Sequence, residues 1–179
     1  MDRSLNAELL ERSGDKSLQS LCPREIALDL DLRNKHRALE VASTLVEGSL
    51  GLHAAPVLRA LLRREEAGST ALGTGIAIPH ARISGIERPV TVFLRGKFPI
   101  AFDAPDGKPV CDILVILVPA DGATEEHLRL LARVAEMFSD RAFRARLCAA
   151  TESSDVSDVF AQWIGERASG TVEVIQSGS

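Results

Sequence analysis

The chain has 179 residues, a formal net charge of −4 at pH 7, no Tyr and one Trp, which is enough length for a compact fold with a substantial core. The acidic balance, the lack of any Lys/Arg run and the scarcity of aromatics exclude a duplex-binding face and a stacking platform for single strands, so no nucleic acid is expected as a partner. No apolar run approaches the roughly 20 residues that cross a bilayer, and the first residues carry no apolar signal core, so the expectation is a cytoplasmic protein without membrane insertion.

Residues 1–19 are polar and weakly patterned and read as a flexible arm, residues 20–167 as one domain, and residues 168–179 as a loose tail in which Val172, Val174 and Ile175 could add an edge strand. Ile26, Leu28, Leu30 and Leu32 alternate with polar or small residues, a strand with one buried face. Asn34 is placed to cap a helix with Ala38, Val41, Ala42, Leu45 and Val46 as its apolar stripe, ended by Gly48. Pro56 suits the first turn of a second helix, with Val57, Leu58, Leu61 and Leu62 inward and Gly68 closing it. Strands follow at Ile76–Ile78 and Pro89–Leu94, with a short piece at Ile100–Phe102, and Pro105-Asp106-Gly107 is a turn. Val110–Val118 is apolar on both faces except at Asp112 and belongs in the middle of the sheet. Thr124 then starts a helix with Leu128, Leu131, Val134, Ala135 and Phe138 inward. Ser139 or Asp140 starts a short one through Leu147, and Ser154 a last one ending at Gly165. This order predicts an α/β fold, three layers with a mixed central sheet flanked by helices.

Four histidines are candidates for chemistry. In Gly73-Thr74-Gly75-Ile76-Ala77-Ile78-Pro79-His80 a short strand runs into a proline, so His80 is expected at a sheet end, where an imidazole can act as base, ligand or nucleophile. His127 falls in the first turn of its helix and begins the stripe that runs through Leu131 and Val134. Free N–H groups at that helix end attract an anion and lower an imidazole pKa. If the strand before it runs parallel to the His80 strand as a neighbour, the two imidazoles converge. Arg64 closes the second helix just before the glycine-rich turn and could reach the same strand end, with Arg63 as the solvated alternative. His36 and His53 read as surface residues. Gly73-x-Gly75 lacks the third glycine of a dinucleotide fingerprint and the Lys-Ser/Thr of a P-loop, and permits a tight turn. Cys22, Cys111 and Cys148 are too widely spaced for a disulfide framework or a zinc ribbon, and no close ligand pair supports a metal site.

The segments Arg64-Glu65-Glu66-Ala67-Gly68-Ser69-Thr70, Gly73-x-Gly75-Ile76-Ala77-Ile78-Pro79-His80, Pro99-Ile100-Ala101-Phe102-Asp103-Ala104, Leu117-Val118-Pro119-Ala120 and His127-Leu128 resemble the IIA domains of the fructose–mannitol type of the bacterial phosphoenolpyruvate phosphotransferase system, in particular its nitrogen-regulatory branch. The resemblance covers residues 22–165. It implies a phosphocarrier in which His80 accepts a phosphoryl group through Nε2 from an HPr-like phosphocarrier (NPr), with Arg64 and His127 around it and no metal, nucleotide or other cofactor. It implies regulatory target proteins as partners, potassium transport or sensor kinases among them. The alternative it allows is a sugar-specific IIA component that passes phosphate to a IIB protein. A shallow apolar rim around His80, formed by Ile78, Ala81 and Ile83, is the expected approach surface for the donor.

Overall fold

The computed structural model describes residues 19–176, with side chains to residue 168; the expected N-terminal arm therefore lies almost wholly outside the described residues. These residues form two compact units, one of residues 23–123 and one of residues 124–176 with the short segment before Pro23.

The first unit is built on a six-stranded mixed sheet. Its elements are β1 (Glu25–Leu30), α1 (Lys35–Leu50), α2 (Ala54–Glu66), β2 (Ala71–Gly73), β3 (Ile76–Ala77), β4 (His80–Ile83), β5 (Val90–Ile100) and β6 (Val110–Pro119). The strand order is β1-β5-β6-β3-β2, and β4 also pairs with β6. β1 runs parallel to β5, β3 and β4 run parallel to β6, and the β5/β6 and β2/β3 pairs are antiparallel. β6 is central, as its two apolar faces require. Its one acidic residue, Asp112, is held by both Nε and Nη2 of Arg95 on β5, at 2.7 and 2.9 Å.

Ala38, Leu39, Ala42 and Val46 of α1 and Val57 and Leu61 of α2 pack on Val92, Leu94, Ile113, Val115 and Leu117 of the sheet. The alternate residues Phe93, Leu114 and Ile116 are buried as well, so the central strands expose neither face. Asn34 caps α1, its Oδ1 accepting from the Arg37 amide at 2.8 Å. Gly48 does not stop this helix. It continues to Leu50, and Gly51, at φ 67°, supplies the left-handed cap. The two pieces expected at 89–94 and 100–102 are one strand. Its register against β6 shifts between Arg95 and Ile100, and within that irregular stretch a Cβ at Gly96 would lie 2.8 Å from the Phe98 carbonyl.

The second unit contains α3 (Thr124–Ser139), α4 (Arg141–Ala149) and α5 (Ser153–Gln176). Phe143 packs edge-to-face on Phe138 and Phe160, with ring centroids 5.4 and 5.3 Å apart, and on Trp163. Asp140 caps α4 through the amides of Ala142 and Phe143. In α3 the buried residues are Leu130, Val134, Met137 and Phe138, whereas Leu128, expected inward, is 60% exposed. α5 runs through Gly165 to Gln176, past the expected stop and through the segment expected as a tail with an edge strand. A mid-helix glycine costs only about 1 kcal/mol relative to alanine and need not end a helix. Among the described residues no helix is long and apolar enough to cross a membrane.

Candidate functional site

β3 and β4 are one interrupted strand. Ile76 and Ala77 pair with Asp112 and Ile113, and His80 pairs with Ile116 at the same offset. Pro79 lies in the gap. It has no N–H to offer, but its carbonyl still accepts from the Ile116 amide at 2.8 Å, so the strand keeps its register. His80 therefore opens a strand within the ladder and does not stand at a sheet end. The interruption frees the Ile78 carbonyl from strand pairing, and that carbonyl meets the His80 ring: Nδ1 lies 2.9 Å from it.

α2 brings its last turn to the other side of the ring. The Arg64 Nε–H donates to His80 Nε2 at 3.0 Å, and Nη1 donates to the Gly68 carbonyl at 3.0 Å. A guanidinium can only donate and a carbonyl can only accept, so the imidazole is neutral, with its proton on Nδ1 and its lone pair on Nε2. Burial lowers the His80 pKa below its ordinary 6.5. The Ile78 carbonyl opposes that shift and the Arg64 charge adds to it. The site thus presents a neutral, oriented nitrogen nucleophile next to a fixed cation. Arg63 is exposed, as expected.

A second layer supports this pair. Glu65 is 5% exposed on the helix face that also carries Val57 and Leu61. Its carboxyl accepts from the Thr70 hydroxyl at 2.6 Å and from the Thr70 amide at 3.2 Å. The Lys35 ammonium lies 3.9 Å from it and 2.6 Å from Asp103. The Thr70 carbonyl in turn accepts from the Ile78 amide at 2.9 Å. Sequence reasoning passed over Glu65 and Thr70. The available signal was a carboxylic residue spaced four and eight positions beyond Leu61 and Val57, on a stripe otherwise apolar. Ile78, Ala81 and Ile83, expected as an exposed rim, are buried at 5–7%. The exposed apolar side chain on the neighbouring β2 is Leu72.

His127 is the fourth residue of α3, half-buried, three and seven residues before the buried Leu130 and Val134. β4 and β6 run parallel as neighbours. His36 and His53 are exposed beside Glu40 and Glu47. Among the described residues no group of three His, Cys, Asp or Glu side chains could hold a metal ion.

Residues 20–163 match the family described as phosphoenolpyruvate-dependent sugar phosphotransferase system, EIIA 2. A nitrogen regulatory protein of Klebsiella oxytoca is 41% identical over 131 residues, 73% of this chain and 80% of that protein. The crystal structure of nitrogen regulatory protein IIA-Ntr from Neisseria meningitidis superposes with a TM-score of 0.71 at 40% identity, covering 76% of this chain and 92% of that one. A fructose-specific EIIA component of Haloferax volcanii is 39% identical over 105 residues, 59% of this chain and 68% of that protein.

Proposed function

The chain belongs to the EIIA 2 family of the phosphoenolpyruvate-dependent sugar phosphotransferase system, and on that premise we propose that it is a nitrogen-regulatory phosphocarrier: His80 accepts a phosphoryl group from an HPr-like protein, and partner proteins read whether that group is present. The observation that carries the reading is the His80 ring held between the Ile78 carbonyl at Nδ1 and the Arg64 guanidinium at Nε2.

The step is a displacement at phosphorus. The Nε2 lone pair forms the new P–N bond as the P–N bond to the donor imidazole breaks, and the pair of electrons of that bond returns to the donor ring. Positive charge develops on the His80 ring because Nδ1 keeps its proton. The Ile78 carbonyl is already aligned to stabilise that charge without reorganisation. Arg64 must release Nε2 for attack, and its donors then turn to the equatorial phosphoryl oxygens while Nη1 keeps its tie to Gly68. His127 is assigned a hydrogen bond to the phosphoryl group on the strength of its motif and its place in the first turn of α3.

The test is uptake of label from a phosphorylated HPr-like donor. Wild type should form a stable, acid-labile phosphoprotein, and His80→Ala should form none while keeping its circular dichroism. Arg64→Ala should slow uptake by roughly 100-fold, the size of losing a donor to developing charge, and His127→Ala should slow it without abolishing it. Labelling of folded His80→Ala would defeat the assignment. The likeness to a fructose-specific component supports a second reading, onward transfer to a IIB protein for sugar uptake. Discharge of the phosphoprotein by a fructose-type IIB domain would favour it.

A further inference from the structure

We propose that Glu65 is a positioning residue for phosphoryl acceptance, holding the His80 ring in its Nδ1-protonated orientation through Thr70 and the Ile78 peptide. The inference rests on the phosphocarrier reading of His80 and names a residue that acts on it from a distance. The chain of contacts is continuous. Glu65 fixes Thr70 by its hydroxyl and its amide. Thr70 fixes the Ile78 amide. Pro79 confines Ile78 to extended backbone, so once the Ile78 amide is pinned its carbonyl has one direction left. That direction is the His80 Nδ1.

A purely structural role could be filled by a different pair of residues. Position 65 shares the inward face of α2 with Val57 and Leu61, and a structural role could be met there by an aliphatic side chain only if Thr70 were also replaced by an apolar residue, since Thr70 would otherwise lose the acceptor of its buried hydroxyl and amide. What a carboxyl adds is two acceptors for one loop residue, Thr70, whose carbonyl leads to the catalytic histidine. Nothing of Glu65 touches His80 or the phosphoryl position in these contacts, so its effect is on the fraction of time Nε2 is presented as a lone pair.

Arg64 also selects this tautomer, from the Nε2 side, and the test must separate the two. The readout is the imidazole Nδ1–H proton by NMR on the full chain, without any donor. It should be visible in wild type and persist in Arg64→Ala, because the Ile78 carbonyl remains in place. In Glu65→Ala it should exchange with water about tenfold faster or vanish, the effect of weakening one hydrogen bond, and Glu65→Gln, which retains an acceptor for Thr70, should restore it. Single-turnover phosphoryl uptake by Glu65→Ala should show its limiting rate constant lowered about tenfold, with the half-saturating donor concentration unchanged. An Nδ1–H signal as protected in folded Glu65→Ala as in wild type overturns the proposal, as does its absence from wild type. If Glu65→Ala does not fold, Thr70→Val decides: it removes only the 2.6 Å hydroxyl bond, and unchanged Nδ1–H exchange there also overturns the proposal. A protected Nδ1–H in a wild-type chain that takes no phosphate would instead defeat the phosphocarrier reading, and with it the purpose assigned to Glu65, while leaving its hold on the His80 ring in place.

Discussion

The surroundings of His80 keep its ring neutral. An ordinary imidazole is part-protonated just below neutrality, whereas burial lowers this one, with the Arg64 charge pushing the same way against the Ile78 carbonyl. The lone pair at Nε2 is therefore retained as pH drops. The same shift has a cost in stability. Between the lowered folded value and the ordinary 6.5, the unfolded chain binds a proton that the folded chain refuses, so stability from this group is complete above 6.5 and is lost as pH falls through that window. Thermal unfolding of wild type and His80→Gln from about pH 8 to about pH 5 measures this. The difference between them should move against wild type on acidification, and parallel curves would contradict the burial argument. Arg64→Ala should raise the His80 pKa toward its ordinary value, read from the ring proton shifts against pH, because it removes a neighbouring cation.

The elements place this residue by local devices of unequal visibility. The Asn34 cap was legible and Asp140 was one of two candidates with Ser139, since Asn34 and Asp140 act on amides two or three residues away and need no tertiary information, whereas Thr124, read as a cap, is the first residue of its helix. Helix ends at Gly48 and Gly165 were not legible, because an internal glycine only weakens a helix and ended neither. Leu128 was placed inward by spacing alone, but the buried side of α3 follows Leu130, Val134 and Met137. The turn at Gly73-Thr74-Gly75 was readable as tight, and the structure adds its clasp: Asp106 accepts from the Thr74 amide at 2.8 Å, and its carboxyl lies 3.1 Å from where a Gly73 Cβ would be. Gly73 sits at φ 83°. Gly73→Ala should therefore cost roughly 1–3 kcal/mol in urea unfolding, from left-handed strain and displacement of Asp106. It should also slow phosphoryl uptake, because this turn leads directly into the Ile76–His80 segment.

For the whole molecule, sequence reading went furthest at the centre of the sheet. The apolar run with Asp112 marked the sheet centre, whereas the proline before His80 was read as the end of a strand that resumes in the same register beyond it. It stopped at Glu65, because a carboxyl on an inward face announces a buried partner without naming it, and the partner is five residues on, across a loop. This arrangement also constrains how the molecule can signal. The core around β5 and β6 is dry and closely packed, with Val92, Phe93, Leu94 and Ile113–Leu117 fully buried. Such cores do not deform gradually. On the phosphocarrier reading the group that must move is the Arg64 side chain, half-buried like the His80 ring that it leaves. A phosphoryl group adds up to two negative charges to a chain whose net charge is already −4, and it does so at one spot. Phosphorylation should therefore act as a local change of charge that a partner reads directly, with the fold unchanged. Amide shifts on phosphorylation should concentrate in residues 64–70 and 78–82 and leave β1 and the Lys97–Pro99 stretch of β5 in place, and the far-UV circular dichroism should not change. Shifts spread across β1 and β5, or a loss of helical signal, would mean that partners recognise a rearranged fold and not the charge at His80.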